Sequence, residues 1–427
     1  MSLELSFTAR NVLLGASLLG VVGGVTGCFA LLRRQSLLGD ALAHAALPGV
    51  CVGYLLTRSK SPLPLFAGAL AAGVIGALVI LAVVRWSRIK EDGAIGMVLS
   101  VFFGIGIVLL TYIQKLPFGN QSGLDKFLFG QAATLLPRDL QLMALLGGLV
   151  LLVVVLFYKE LKLLCFDPDF AASVGFPTRR LEVLVTLLLV TVVVVGLQTV
   201  GVVLIVATLI TPAAAARQWT ERLSIMLLLA GAVGGAAGAV GALVSATVPR
   251  LPTGPVIVLC ASVLLVVSLL VAPRRGLLWA LLEERRAARR IRQENLLKDL
   301  YGWQERRHGD WFDLIPWPML MGVRGQSQTQ LARLAAPLER RGLLARIDGG
   351  VALTQKGFAA ARRVVRKHRL WELYLARRLE LPSDHVHRDA EVMEHALSDE
   401  AVGLIERTLG YPELDPHGRP IPREDAA

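Results

Sequence analysis

Nine apolar runs, each long enough to cross a bilayer, crowd the stretch from residue 11 to residue 272. They fall near 11–32, 38–57, 63–84, 93–113, 138–158, 180–198, 200–216, 222–248 and 254–272. Hydrocarbon offers backbone N–H and C=O groups no water, so runs of this length satisfy themselves as α-helices. Segments such as AGAVGGAAGAVGALVSA (230–246) space small residues for close helix contact, which implies a packed bundle rather than isolated anchors. The stretch GLQTVG (196–201) is either a tight turn between two short spans or an irregular break lining a cavity, so the count is eight or nine. From Pro273 onward the composition is ordinary and charged, with enough residues to bury a core of its own. The expected fold class is an all-α polytopic membrane protein of 8–9 transmembrane helices followed by a mainly α soluble domain.

The net charge of +12 invites a nucleic-acid reading, but its placement favours membrane topology. With nine spans and the N-terminus outside, the inner loops carry Arg33 and Arg34; Arg85, Arg88 and Lys90; Lys159, Lys162, Arg179 and Arg180; and Arg217 and Arg222. Arg58 and Lys60 run against the trend. The bias puts the C-terminal domain in the cytoplasm, with the basic run EERRAARRIR (283–292) on the anionic leaflet. The four cysteines, Cys28, Cys51, Cys165 and Cys260, all lie in or beside the apolar part and form no disulfide framework, which fits a reducing compartment for the tail. The N-terminus lacks the basic n-region of a secretory signal and is expected to be a retained first span.

Three groups of residues carry chemistry. Asp40 and His44 are one helical turn apart inside an apolar run. Ionisable groups in a span usually face a bundle interior or a pathway, and an oxygen with a nitrogen ligand suits Zn(II), Mn(II) or Fe(II). The alternative is that Asp40 caps its helix and His44 packs. The loop FDPDFAASVGFPTRRLE (166–182) has a helix start at Asp167-Pro168 and a stop at Gly175, and reads as a docking element for a motor subunit or as an ordinary interfacial helix. In the tail, His368 and Glu372 are i, i+4, and Glu391, Glu394 and His395 share a face with His387 one turn earlier. Carboxylates and imidazoles without thiolate favour Mn, Fe or Zn; a solvated helix face is the competing account. No GxxxxGKS or GxxxxGKT occurs, so the chain carries no P-loop ATP site, and no nucleophile–base pair suggests an enzyme.

Four segments in order, LGDALAHAALPGV (38–50), EDGAIGMVLSVFFGIG (91–106), the 166–182 loop and VGVVLIVATLITPAAAARQ (200–218), resemble the membrane permeases of ATP-binding-cassette importers for manganese, zinc or iron(II). The resemblance implies a permease dimer (homo- or heterodimer), a separate ATPase subunit, an extracytoplasmic metal-binding protein and the bacterial plasma membrane. It makes Asp40 and His44 path residues. It makes Asp167, Pro168, Asp169, Phe170, Ala171 and Gly175 the coupling helix that docks into the ATPase.

Residues 361–422 resemble the metal-sensing and dimerisation region of diphtheria-toxin-repressor-like regulators, and 331–361 resemble the end of their winged helix. That resemblance puts Glu391, Glu394 and His395 in a primary metal site and His368, Glu372 and His387 in its neighbour. Two departures stand out. Asn295 and Lys298 replace the acidic ligands expected from the first winged-domain helix, and a protonated lysine repels a cation. Pro337 falls inside the recognition helix, while 311–326, with two prolines, does not read as a second helix, so the winged helix is expected to be degenerate and DNA is not expected as a partner.

The expected organisation is 1–275 permease, 276–293 basic linker, 294–360 winged-helix-like region and 361–427 metal-binding and dimerisation region. The expected function is metal import with a regulatory cytoplasmic tail. The alternative is a membrane-tethered metal-dependent transcription regulator.

Overall fold

The computed structural model describes residues 7–58, 61–116, 130, 135–197, 199–248, 251–273, 275–307, 310–378 and 398–423. The chain divides into two compact units, Met1–Ala280 and Leu281–Ala427.

In the first unit, nine described helices are long and apolar enough to cross a membrane. These are α1 (Phe7–Leu32), α2 (Leu38–Thr57), α3 (Pro62–Trp86), α4 (Glu91–Lys115), α5 (Pro137–Leu156), α8 (Thr178–Leu197), α9 (Val202–Trp219), α10 (Leu223–Thr247) and α11 (Thr253–Val271), with two short helices, α6 (Tyr158–Phe166) and α7 (Pro168–Ser173), between α5 and α8. Helix α8 ends at Leu197 and α9 begins at Val202, so the two apolar runs on either side of this point are separate helices. Gly201 opens α9 at φ +87°, a value glycine adopts without steric cost.

The bundle is organised around α1, packed along α10 and α9, and α2, packed along α3 and α4. Small residues set these contacts. A methyl group on Gly20 would run into the carbonyl of Gly234, and one on Gly49 into that of Gly68. Backbones therefore approach closely, as small-residue packing in lipid requires. Leu145, Leu149, Leu152 and Leu156 of α5 are exposed along one helical stripe, the arrangement of a lipid-facing side.

The second unit starts on α12 (Leu277–Arg307), which is followed by β1 (Ile315–Pro316), α13 (Trp317–Arg324), α14 (Gln328–Arg340), β2 (Leu344–Ile347), β3 (Gly350–Leu353), α15 (Gln355–Arg378) and α16 (Asp399–Thr408). The antiparallel sheet has order β1-β3-β2, and β2 and β3 are joined at Asp348-Gly349, an Asp-Gly pair suited to a two-residue turn, with Gly349 at φ +96°. Leu296, Leu300, Ile315, Leu331, Ala335 and Val351 form one buried core. Leu370, Leu373, Val402, Ile405 and Ile421 form another.

The order α12, β1, α13, α14, β2, β3 is that of a winged helix, and 317–324 form a helix where the sequence did not read as one. Pro316 is the N-cap of α13 and Pro318 lies in its first turn, where a missing N–H costs nothing. Pro337 lies within the last turn of α14, which runs unbroken to Arg340. It forgoes the one intrahelical bond to the carbonyl of Arg333, and Arg333 is exposed so that water can take its place. Ser327 and Gln330 close a capping box at the other end of that helix.

Candidate functional site

Asp40 and His44 lie on α2, the helix enclosed by α3, α4, α8 and α9. The i, i+4 spacing brings His44 Nε2 to 3.5 Å from Asp40 Oδ1. Asp40 stands in the first turn, but no side chain caps α2, so its carboxylate is not used as a cap. The His44 ring meets Phe103 of α4 edge-on, with centroids 4.7 Å apart at 78°. His44 Nδ1 is buried with no hydrogen-bond partner among the described residues. A buried ring nitrogen left in that state is a place for a water or a ligand.

The sequence reading missed a further oxygen here. Pro48 sits inside α2. It has no N–H for the i−4 carbonyl, which belongs to His44. The His44 carbonyl thus lacks its usual i+4 donor, a local weakening of the ladder signalled by His-x-x-x-Pro. Among the described residues no three His, Cys, Asp or Glu side chains gather as a metal site. Asp40 and His44 alone make a sparse pair of donors, fewer protein side chains than a closed site uses.

The 166–182 loop folds as α7. Asp167 Oδ1 accepts from Phe170 N–H at 2.9 Å, Pro168 follows at the first helical position, and Gly175 at φ +91° ends the turn. Ala171 is buried, whereas Asp169, Phe170 and Val174 are exposed. An exposed aromatic on a short capped helix is a knob without a socket among the described residues. Glu182 on the following helix, α8, pairs with Arg33 beyond the end of α1 at 2.9 Å. That contact links the segment after α7 to the helix that organises the bundle.

In the second unit, His368 and Glu372 are buried on α15, with Nε2 and Oε1 3.1 Å apart. His387, Glu391, Glu394 and His395 lie outside the described residues. Asn295 and Lys298 stand on α12, half-buried. Sequence reading also missed a buried ionic lock next to this helix. Arg369 donates to both Glu305 oxygens, at 2.9 and 2.5 Å, and to the carbonyl of Pro420 at 2.6 Å, with Asp415 at 3.6 Å. Arg366 donates to Glu406 at 2.5 Å and to the carbonyl of Pro422 at 2.9 Å. The signal was two arginines at i, i+3 among apolar positions of α15.

The ABC 3 transport family profile matches residues 6–272, and that of the iron dependent repressor, metal binding and dimerisation domain matches 354–423. The manganese transport system membrane protein MntC of Bacillus subtilis is 44% identical over 407 residues, 94% of this chain and 92% of that protein. The zinc transport system membrane protein TroC of Treponema pallidum is 49% identical over 288 residues, 67% of this chain and 97% of that protein. The solved structure of PsaBC from Streptococcus pneumoniae in complex with Fab superposes with a TM-score of 0.58 at 33% identity, covering 64% of this chain and 95% of that one. The chain therefore belongs to the ABC 3 transport family of membrane permeases, and its C-terminal region matches the metal-binding and dimerisation domain of iron-dependent repressors.

Proposed function

We propose that this permease imports a divalent transition metal, with manganese the first candidate and zinc and iron(II) the competing cargoes. The observation that carries the reading is the Asp40–His44 pair on the enclosed helix α2, with His44 Nδ1 buried and unpartnered among the described residues. A set this small holds an ion weakly enough to let it pass. Oxygen and nitrogen donors without thiolate suit manganese, and MntC, similar along nearly the whole chain, is a manganese transport protein by name.

ATP hydrolysis belongs to a separate ATPase subunit, against which α7 docks with Phe170. An extracytoplasmic metal-binding protein delivers the ion to a homo- or heterodimer of permeases in the bacterial plasma membrane. The C-terminal unit lies in the cytoplasm. There His368 and Glu372, with His387, Glu391, Glu394 and His395, sense metal and slow import when the cell is replete, a coupling between two sites by linkage.

The test is manganese accumulation in cells with and without the chain, with zinc and iron measured in parallel. Chain-dependent accumulation that D40A or H44A removes supports the proposal. Accumulation indifferent to both variants overturns the path.

The membrane-tethered regulator stays as a second reading because the elements follow winged-helix order and Gln328, Thr329 and Arg333 of α14 are exposed. Metal-dependent binding of the full chain to genomic DNA fragments would favour it.

A further inference from the structure

Three helices of the C-terminal unit, far apart in sequence, bring arginines to one cleft: Arg286, Arg289 and Arg290 from α12, Arg340 and Arg341 from the end of α14, and Arg363 from α15. All six are exposed. Glu294, the one carboxylate among the described lining residues, pairs with Arg290 at 2.7 Å. The other five have no carboxylate partner among the described residues. Leu297, Leu338 and Leu343 make an apolar floor.

Guanidinium groups that converge without acidic partners repel one another, and a polyanion relieves that repulsion. Their planar forks match phosphate oxygens two at a time. Two phosphate sources fit poorly. A winged helix reads DNA through its recognition helix and wing, yet Thr329, Arg333 and the Asp348-Gly349 turn are not among the cleft residues. A nucleotide base would find no aromatic side chain to stack on among the described lining residues.

A membrane, in contrast, is close along the chain. The last span ends at Val271, and Arg286–Arg290 follow within the 20 residues over which basic side chains act on a leaflet.

We propose that this cleft binds the phosphate-bearing headgroups of anionic phospholipids. A headgroup seated there bridges α12, α14 and α15, and so ties the winged helix to the helix that carries His368 and Glu372.

The experiment uses the full chain in nanodiscs of phosphatidylcholine, alone or mixed with phosphatidylglycerol, and follows backbone hydrogen exchange. Both faces of a disc carry the same lipids, so the outcome does not depend on the proposed cytoplasmic placement. Phosphatidylglycerol is expected to slow exchange at 286–297, 338–343 and 360–367, and high salt to reverse it. The R286Q/R289Q/R340Q/R341Q variant is expected to lose that slowing while β2 and β3 exchange as in the parent. Each removed cation should weaken headgroup binding about fivefold. The proposal is overturned by no slowing with phosphatidylglycerol, by slowing that persists in the variant, or by slowing that only added duplex DNA or tripolyphosphate produces.

Discussion

His44 combines two features that are each ordinary and are informative together. Its imidazole faces Asp40, and its carbonyl is released because the residue four positions on is proline. Replacing Pro48 with alanine restores a donor to that carbonyl. P48A is therefore expected to leave membrane abundance unchanged or raised, read by quantitative blotting of membranes; lowered abundance would contradict it. If His44 lines the proposed path, H44A should slow manganese uptake by at least the roughly 10- to 100-fold seen when an outer partner of a metal ligand is lost. Arg369 works by a different principle. Its partner Asp415 is buried and Glu305 partly so, so R369A leaves a buried carboxylate uncompensated and should destabilise the C-terminal unit by about 3 kcal/mol. Hydrogen exchange of the full chain reads this directly: α15 and α16 should open faster, with α1 and α10 unaffected.

At the scale of elements, local chemistry that ends or starts a helix was legible in the sequence. Asp167, Pro168 and Gly175 mark α7 because a cap, a fixed φ and a left-handed glycine act within one turn. The small-residue stripe of α10 was legible for a similar reason, since nothing but close packing uses Gly every third or fourth position in a span. Prolines in the winged helix were misread because a proline's effect depends on its register in the helix. Pro318 is harmless in the first turn of α13, and the core around Leu320 and Ile315 pays for that helix's shortness. The Arg369 lock was not legible at all, since its partners come from α12 and the C-terminal segment. A prediction follows for α7. Exposed Phe170 contributes little to its own fold, so F170A is expected to keep permease abundance while lowering recovery of the ATPase subunit on copurification; unchanged recovery would detach α7 from docking.

At the scale of the whole molecule, one chain joins a permease to a tail that matches the metal binding and dimerisation domain of iron dependent repressors. Removing 281–427 is expected to leave basal import in place and to abolish its slowing by internal metal; import that stays equally sensitive would deny the tail a sensing role. The central claim, however, is that Asp40 and His44 line the route of a divalent metal. It is tested most directly by initial rates of radiolabelled manganese uptake in cells that hold the partner subunits, comparing the parent chain with D40A/H44A at equal membrane abundance. The account predicts chain-dependent uptake that the double variant loses. Equal uptake by parent and variant would contradict it.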